Sequence, residues 1–272
     1  DEVLLFAALA FCQDGDEILH ANHGFEMYSI VSKVVGAVPK KIMEDVNFNL
    51  NIENLIDQTN DATKVIYIAS PNNPTGTYLS RDQLVKLMNS ISKNIIVVID
   101  GAYVEYVQKD DYDKGFSLTD EYENIILTRT FSKTYGLAAL RVGWCYTSQK
   151  IADIINKIKP PFNTTTISQS LAIKALEDKE HIENSVKLNS EIKDWFEKEL
   201  KLLNIKTRQT EGNFTLIETS EEEAEKISNH LMNDGIIIRR LNSYNLPNFL
   251  RISIGTKEEM NLTVESLKKF NV

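Results

Sequence analysis

Three nearly continuous apolar runs constrain this chain most: KVIYIAS at residues 64–70, NIIVVID at 94–100 and NIILTRTF at 124–131. Such runs are what strands covered on both faces require. EILHAN (17–22), KKIM (40–43) and GWCYTS (143–148) are further strand candidates. Helical patterns lie between them, FEMYSIVSKVVGA (25–37) and SRDQLVKLMNSIS (80–92). The second has Ser80 as N-cap and Leu84, Leu87 and Met88 on one stripe. This alternation predicts an α/β fold, a mostly parallel central sheet with flanking helices.

The character changes after about residue 150. KIADIINKIK runs as a helix into a Pro-Pro break, and a long helical stretch follows over roughly 167–203. GNFTLIET (212–219), IIIRRL (236–241) and FLRISIG (249–255) read as strands. SEEEAEKISNHLMNDG (220–235) is a helix with an acidic first turn and a glycine stop, and TKEEMNLTVESLKKF (256–270) opens on a capping-box pattern. The expected organisation is a large domain over 1–180 and a small C-terminal α+β domain over 181–272. The chain opens on DEVLLFAALAF, a helix already under way, which suggests a segment before Asp1.

Composition removes several classes of function. A formal net charge of −9 disfavours a nucleic-acid partner. No apolar run reaches the roughly 18 residues of a membrane span, and no signal peptide is visible. Two cysteines, Cys12 and Cys145, make no CxxC pair, which fits a reducing cytoplasm. His20 and His23 lie close together without a third ligand or an HExxH pattern, so no metal is expected.

Sheets of this type bind ligands at the carboxyl ends of their strands. After KVIYIAS comes PNNPTGT, which presents Asn72 and Asn73; alone it is a tight turn. After NIIVVI comes Asp100, with Tyr103 three residues on; alone the acid is a helix cap. After NIILTRTF comes SKTYG with Lys133, then Arg141; alone these are a surface lysine and a structural arginine. Together they form a set. A pyridine ring needs an acid at its nitrogen, donors at its phenolic oxygen, an arginine and hydroxyls at its phosphate, and an amine for its aldehyde. Asp100, Asn73 with Tyr103, Arg141 with Thr130 and Ser132, and Lys133 supply each in turn, so the set reads as a pyridoxal 5'-phosphate site. Lys133 must then titrate well below the roughly 10.4 of free lysine, as burial and cations such as Arg141 would enforce.

The order SPNNPTG, IDGAYVEY, RTFSKTYGLAALRVG, LPNFLRISIGT resembles the fold-type I pyridoxal phosphate aminotransferases, and among them the histidinol-phosphate aminotransferases, through essentially the whole chain. The resemblance implies that Lys133 carries the cofactor and moves the substrate's α-proton. It implies that Asp100 pairs with the ring nitrogen, that Asn73 and Tyr103 bond the phenolic oxygen, and that Asn73 also borders the substrate. Arg141 with Ser132, or alternatively Thr130, would hold the phosphate. Phe25 in HGFEMY matches the aromatic that stacks on the ring, against an ordinary core role. Arg251 in FLRISIG matches the substrate-carboxylate clamp, against a buried structural ion pair. Arg239 is a candidate for the far end of the substrate, against a solvated strand-edge charge. The partners implied are a small-molecule amino donor and a keto acceptor, in a cytoplasmic homodimer.

The sequence departs from this pattern in two places. Family members begin well upstream of DEVLLF, with a small-residue turn at the phosphate and an arm that reaches across the dimer. The stretch ANHGFEMY also differs from the commoner Pro-Thr-aromatic form of that loop. An aromatic amino-acid aminotransferase, a related decarboxylase of the same fold, and a catalytically impaired truncated binder therefore stand as alternatives. A nucleotide site has no GxGxxG or GxxxxGK[ST] to support it.

Overall fold

The structure, a computed structural model, describes residues 1–270. Helix α1 (Glu2–Phe11) leads to β1 (Glu17–Ala21), α2 (Met27–Val34), β2 (Val38–Ile42), α3 (Ile52–Asp57) and β3 (Thr63–Ala69). Next come α4 (Arg81–Ser90), β4 (Ile96–Asp100), α5 (Phe116–Glu121), β5 (Ile125–Thr130), β6 (Gly143–Thr147) and α6 (Gln149–Ile158). The six strands form one sheet in the order β2-β1-β3-β4-β5-β6; all are parallel except β6, which runs antiparallel to β5.

The apolar runs are continuous because successive residues enter two cores. Ile66, Ile68, Val97, Ile99 and Leu127 face one, under α4. Val65, Tyr67, Val98 and Ile126 face the other, under α1 and α2. Ser80 caps α4 in a reciprocal capping box with Gln83.

The strand order turns back between β1 and β3. The chain steps outward from β1 to β2, then crosses to β3 on the other side of β1. The carboxyl ends of β1, β3, β4 and β5 therefore open on one crevice, the usual ligand position in such sheets.

Beyond α6 stand α7 (Thr166–Glu177) and α8 (Lys179–Leu202). The single helix expected over 167–203 is broken at Asp178, whose carboxylate accepts the His181 backbone N–H at 3.0 Å and starts a new helix. Strands β7 (Lys206–Arg208), β8 (Phe214–Glu218), β9 (Arg239–Leu241) and β10 (Leu246–Ser253) make an antiparallel sheet in the order β7-β8-β10-β9. Helices α8, α9 (Glu221–Asn233) and α10 (Lys257–Phe270) cover one of its faces. The strand expected from Ile236 begins only at Arg239, because Gly235 stops α9 with a left-handed φ of 80° and the next residues unwind from it.

Candidate active site

Asp100 is the last residue of β4. Its carboxylate accepts the Tyr28 hydroxyl at 2.8 Å and the Thr128 hydroxyl at 3.0 Å. The donors are side chains from α2 and β5, so the helix-cap explanation for this acid fails. Tyr28 is fully buried and stacks on Tyr67 with ring centroids 4.9 Å apart. Its hydroxyl titrates well above the usual range, through burial first and then the Asp100 charge, so it stays a donor.

Tyr103 follows in the turn after β4, buried edge-on against Phe214 of β8. Burial raises its hydroxyl; Arg251 opposes and Asp100 adds to the effect. The Lys133 amine lies 5.3 Å from the centre of the Tyr103 ring. Lys133 exposes much of its side chain. Burial lowers its pKa most, the Arg251 charge adds to this, and Asp100 opposes it. Arg251, rather than Arg141, is the cation that acts on it.

The loop after β3 carries both asparagines. Asn72 is buried; its amide donates to Thr75 Oγ1 at 2.8 Å and to the His23 carbonyl at 3.1 Å, and its Oδ1 has no partner. Asn73 accepts a hydrogen bond from the Arg251 guanidinium. Arg251 in β10 also lies over the Phe214 ring at 5.2 Å, and its buried Nε has no partner. No carboxylate pairs with Arg251 among the described residues, so the structural ion-pair explanation does not apply. A buried guanidinium N–H without an acceptor suits an anion supplied from outside.

Phe25 is partly buried in the β1–α2 loop, its ring perpendicular to Tyr28 at 5.9 Å. Thr130 ends β5, and its hydroxyl accepts the Ser132 backbone N–H at 3.1 Å. Arg141 stands further along in a left-handed conformation, φ 50°, donating to the Ala138 carbonyl at 2.9 Å and pairing with Asp1 at 3.4 Å. Arg239, on the edge strand β9, pairs with Glu26 at 3.6 Å.

The structure thus brings Lys133, Tyr103, Asp100, Asn73 and Arg251 to one crevice, with Phe25 at its β1 side. The sequence reading missed Tyr28. A tyrosine on a helical stripe reads as core, and nothing local marks its hydroxyl as aimed at a residue 72 positions away.

The chain belongs to the class I and II aminotransferases, a family that matches residues 1–267. Within the class it belongs with the histidinol-phosphate aminotransferases. The relative from Roseobacter denitrificans is 36% identical over 99% of this chain and 75% of its own length. The one from Pelagibacter ubique is 39% identical over 100% and 76%. The chain spans about three quarters of their length. In fold it is similar to the crystal structure of histidinol-phosphate aminotransferase from Sinorhizobium meliloti in complex with pyridoxal-5'-phosphate. That likeness has a TM-score of 0.91 at 23% identity and covers 98% of this chain and 75% of the other.

Proposed function

We propose that this chain is a pyridoxal phosphate-dependent aminotransferase that exchanges the amino group between glutamate and imidazole acetol phosphate, giving 2-oxoglutarate and histidinol phosphate, in histidine biosynthesis. The observation that carries the site assignment is the convergence of a lysine amine 5.3 Å from the Tyr103 ring, a carboxylate held by two hydroxyls, and a buried guanidinium with an unpartnered N–H on one crevice.

The residues present fit the cofactor. When bound, it supplies an electron sink for the substrate's α-carbon. Lys133 would hold it through its amine and would move a proton to and from that carbon. Asp100 keeps a proton on the ring nitrogen. Its two hydroxyl partners fix where its charge sits. Asn73 spends its Oδ1 on Arg251, which leaves its Nδ2 as a donor to the phenolic oxygen. Tyr103, held protonated, is the second donor there. Ser132 with Arg141, Thr130 being the alternative to Ser132, holds the phosphate. Phe25 packs on the ring. Arg251 takes the substrate carboxylate and Arg239 the far end of the substrate.

In this reading residues 1–180 bind the cofactor and 181–272 bring the substrate arginines to it, in a cytoplasmic homodimer. No helix among the described residues is long and apolar enough to cross a membrane. One observation favours a second substrate class. Arg239 is already paired with Glu26, which suits an amino acid with an uncharged, aromatic side chain.

The test is borohydride reduction after addition of pyridoxal phosphate, with peptide mapping, followed by turnover of histidinol phosphate against 2-oxoglutarate. Label on Lys133 with turnover is expected. Label elsewhere, or none, would sink the site assignment.

A further inference from the structure

Strands β9 and β10 pair antiparallel with Arg239 directly opposite Arg251. Opposed residues project from the same face of a sheet, so the two arginines stand side by side. Their partners differ. Arg251 reaches Asn73 in the loop after β3 and keeps a buried N–H unpartnered. Arg239 reaches across to Glu26, the residue after Phe25. Glu26 sits at the N-cap of α2, yet its side chain makes no capping hydrogen bond. Its carboxylate is given to Arg239 instead. Tyr244, also buried, feels the group: burial raises its hydroxyl most, Glu26 adds, and Arg251 and Arg239 oppose. This glutamate lies in ANHGFEMY, the stretch that departs from the family pattern.

We infer that Glu26 is a specificity-determining residue, a built-in counter-ion that holds Arg239 and competes with an anionic far end of the substrate for it. The inference rests on the aminotransferase reading above, in which Arg239 borders the substrate. A phosphate-ended substrate must displace Glu26 and bind beside its charge. A neutral-ended substrate leaves the pair intact. Glu26 therefore narrows the preference for phosphate and admits uncharged side chains. The pair is half exposed, its side chains 53% and 37% accessible, so its effect is modest and salt-dependent.

A matched pair of amino donors tests this: histidinol phosphate and histidinol, which differ only in the phosphate. In Glu26→Gln the ratio of their kcat/KM values should rise about two- to fivefold, through KM for the phosphate compound, and the rise should shrink at high salt. Calorimetric binding of the two compounds to Lys133→Ala, with and without Glu26→Gln, should show the same tightening for the phosphate compound alone, without turnover. In Arg239→Gln the Glu26 substitution should no longer raise the ratio. Equal changes for both compounds, or none, would mean that Glu26 only shapes the helix start, and would leave the aminotransferase reading standing. If the unaltered protein turns over neither compound and binds neither, the substrate reading falls and the inference with it.

Discussion

The amine of Lys133 is poised by two opposed charges. Burial and Arg251 favour its neutral form, and Asp100 favours the ammonium. Only the neutral amine attacks an aldehyde, so two substitutions should move its reactivity in opposite directions. Arg251→Leu removes a cation, stabilises the ammonium, raises the pKa and shifts the midpoint of cofactor capture to higher pH. Asp100→Asn removes an anion and shifts it to lower pH. Borohydride trapping at Lys133 across a pH series reads both shifts, and movement in the same direction would refute this electrostatic account. Tyr28→Phe deletes one of the two donors to the Asp100 carboxylate. A hydrogen bond to a charged group is worth about 1.5–3 kcal/mol, so amino transfer should fall roughly tenfold or more with Lys133 labelling retained. A rate within twofold of the original would make the bond incidental to catalysis.

At the scale of elements, the β1–α2 loop is held from outside itself. Glu44, just past β2, has a side chain only 2% exposed. One carboxylate oxygen accepts the His23 backbone N–H at 2.8 Å and the other meets His23 Nδ1 at 3.0 Å. Asn72 takes the His23 carbonyl from the far side, so one residue links the loop of Phe25 to the loop of Asn73. Glu44→Ala leaves a part-buried N–H without its acceptor and should cost about 1 kcal/mol, read as a lower Tm, with weaker cofactor retention on dialysis. Unchanged retention would mean the clasp does not reach Phe25. Elements of this kind explain what the sequence did and did not disclose. The central strands were legible because burial on both faces leaves a local apolar run, and Asp100 and Lys133 were legible because they end such runs. His23–Glu44 and Tyr28–Asp100 join residues 21 and 72 positions apart, and no local pattern encodes such a pair. The break at Asp178 was missed for a related reason. The residues around it, EDKEH at 177–181, are all compatible with a helix, and the cap bond to His181 marks the stop.

At the scale of the whole molecule, the crevice exists only while the antiparallel sheet stays docked on the loop after β3. That contact is close at Gly76. Its φ of 76° is left-handed, and a Cβ placed there would lie 2.4 Å from the Cβ of Thr210. The Gly76 carbonyl accepts the Glu211 backbone N–H at 2.8 Å, and Thr210 is itself fixed through the Phe214 carbonyl at 2.6 Å. Lys193 of α8 donates to the Thr210 carbonyl, which braces the same segment from behind. The segment cannot give way cheaply, so Gly76→Ala combines about 1–2 kcal/mol of left-handed strain with overpacking of about 1–3 kcal/mol. The relief available is to lift the smaller sheet, and with it Arg251 and Arg239, away from Asn73. Asp100 ends β4 and Lys133 follows β5, both on the larger sheet's side, and would stay in place. Gly76→Ala should therefore still take borohydride label at Lys133 while kcat/KM for the amino donor drops at least tenfold. Thr210→Gly in the same chain, which removes both the Cβ at 2.4 Å and the Cγ2 at 2.7 Å from the added carbon, should restore part of the loss. Loss of labelling together with turnover would show instead that the loop after β3 holds the cofactor half of the site together on its own.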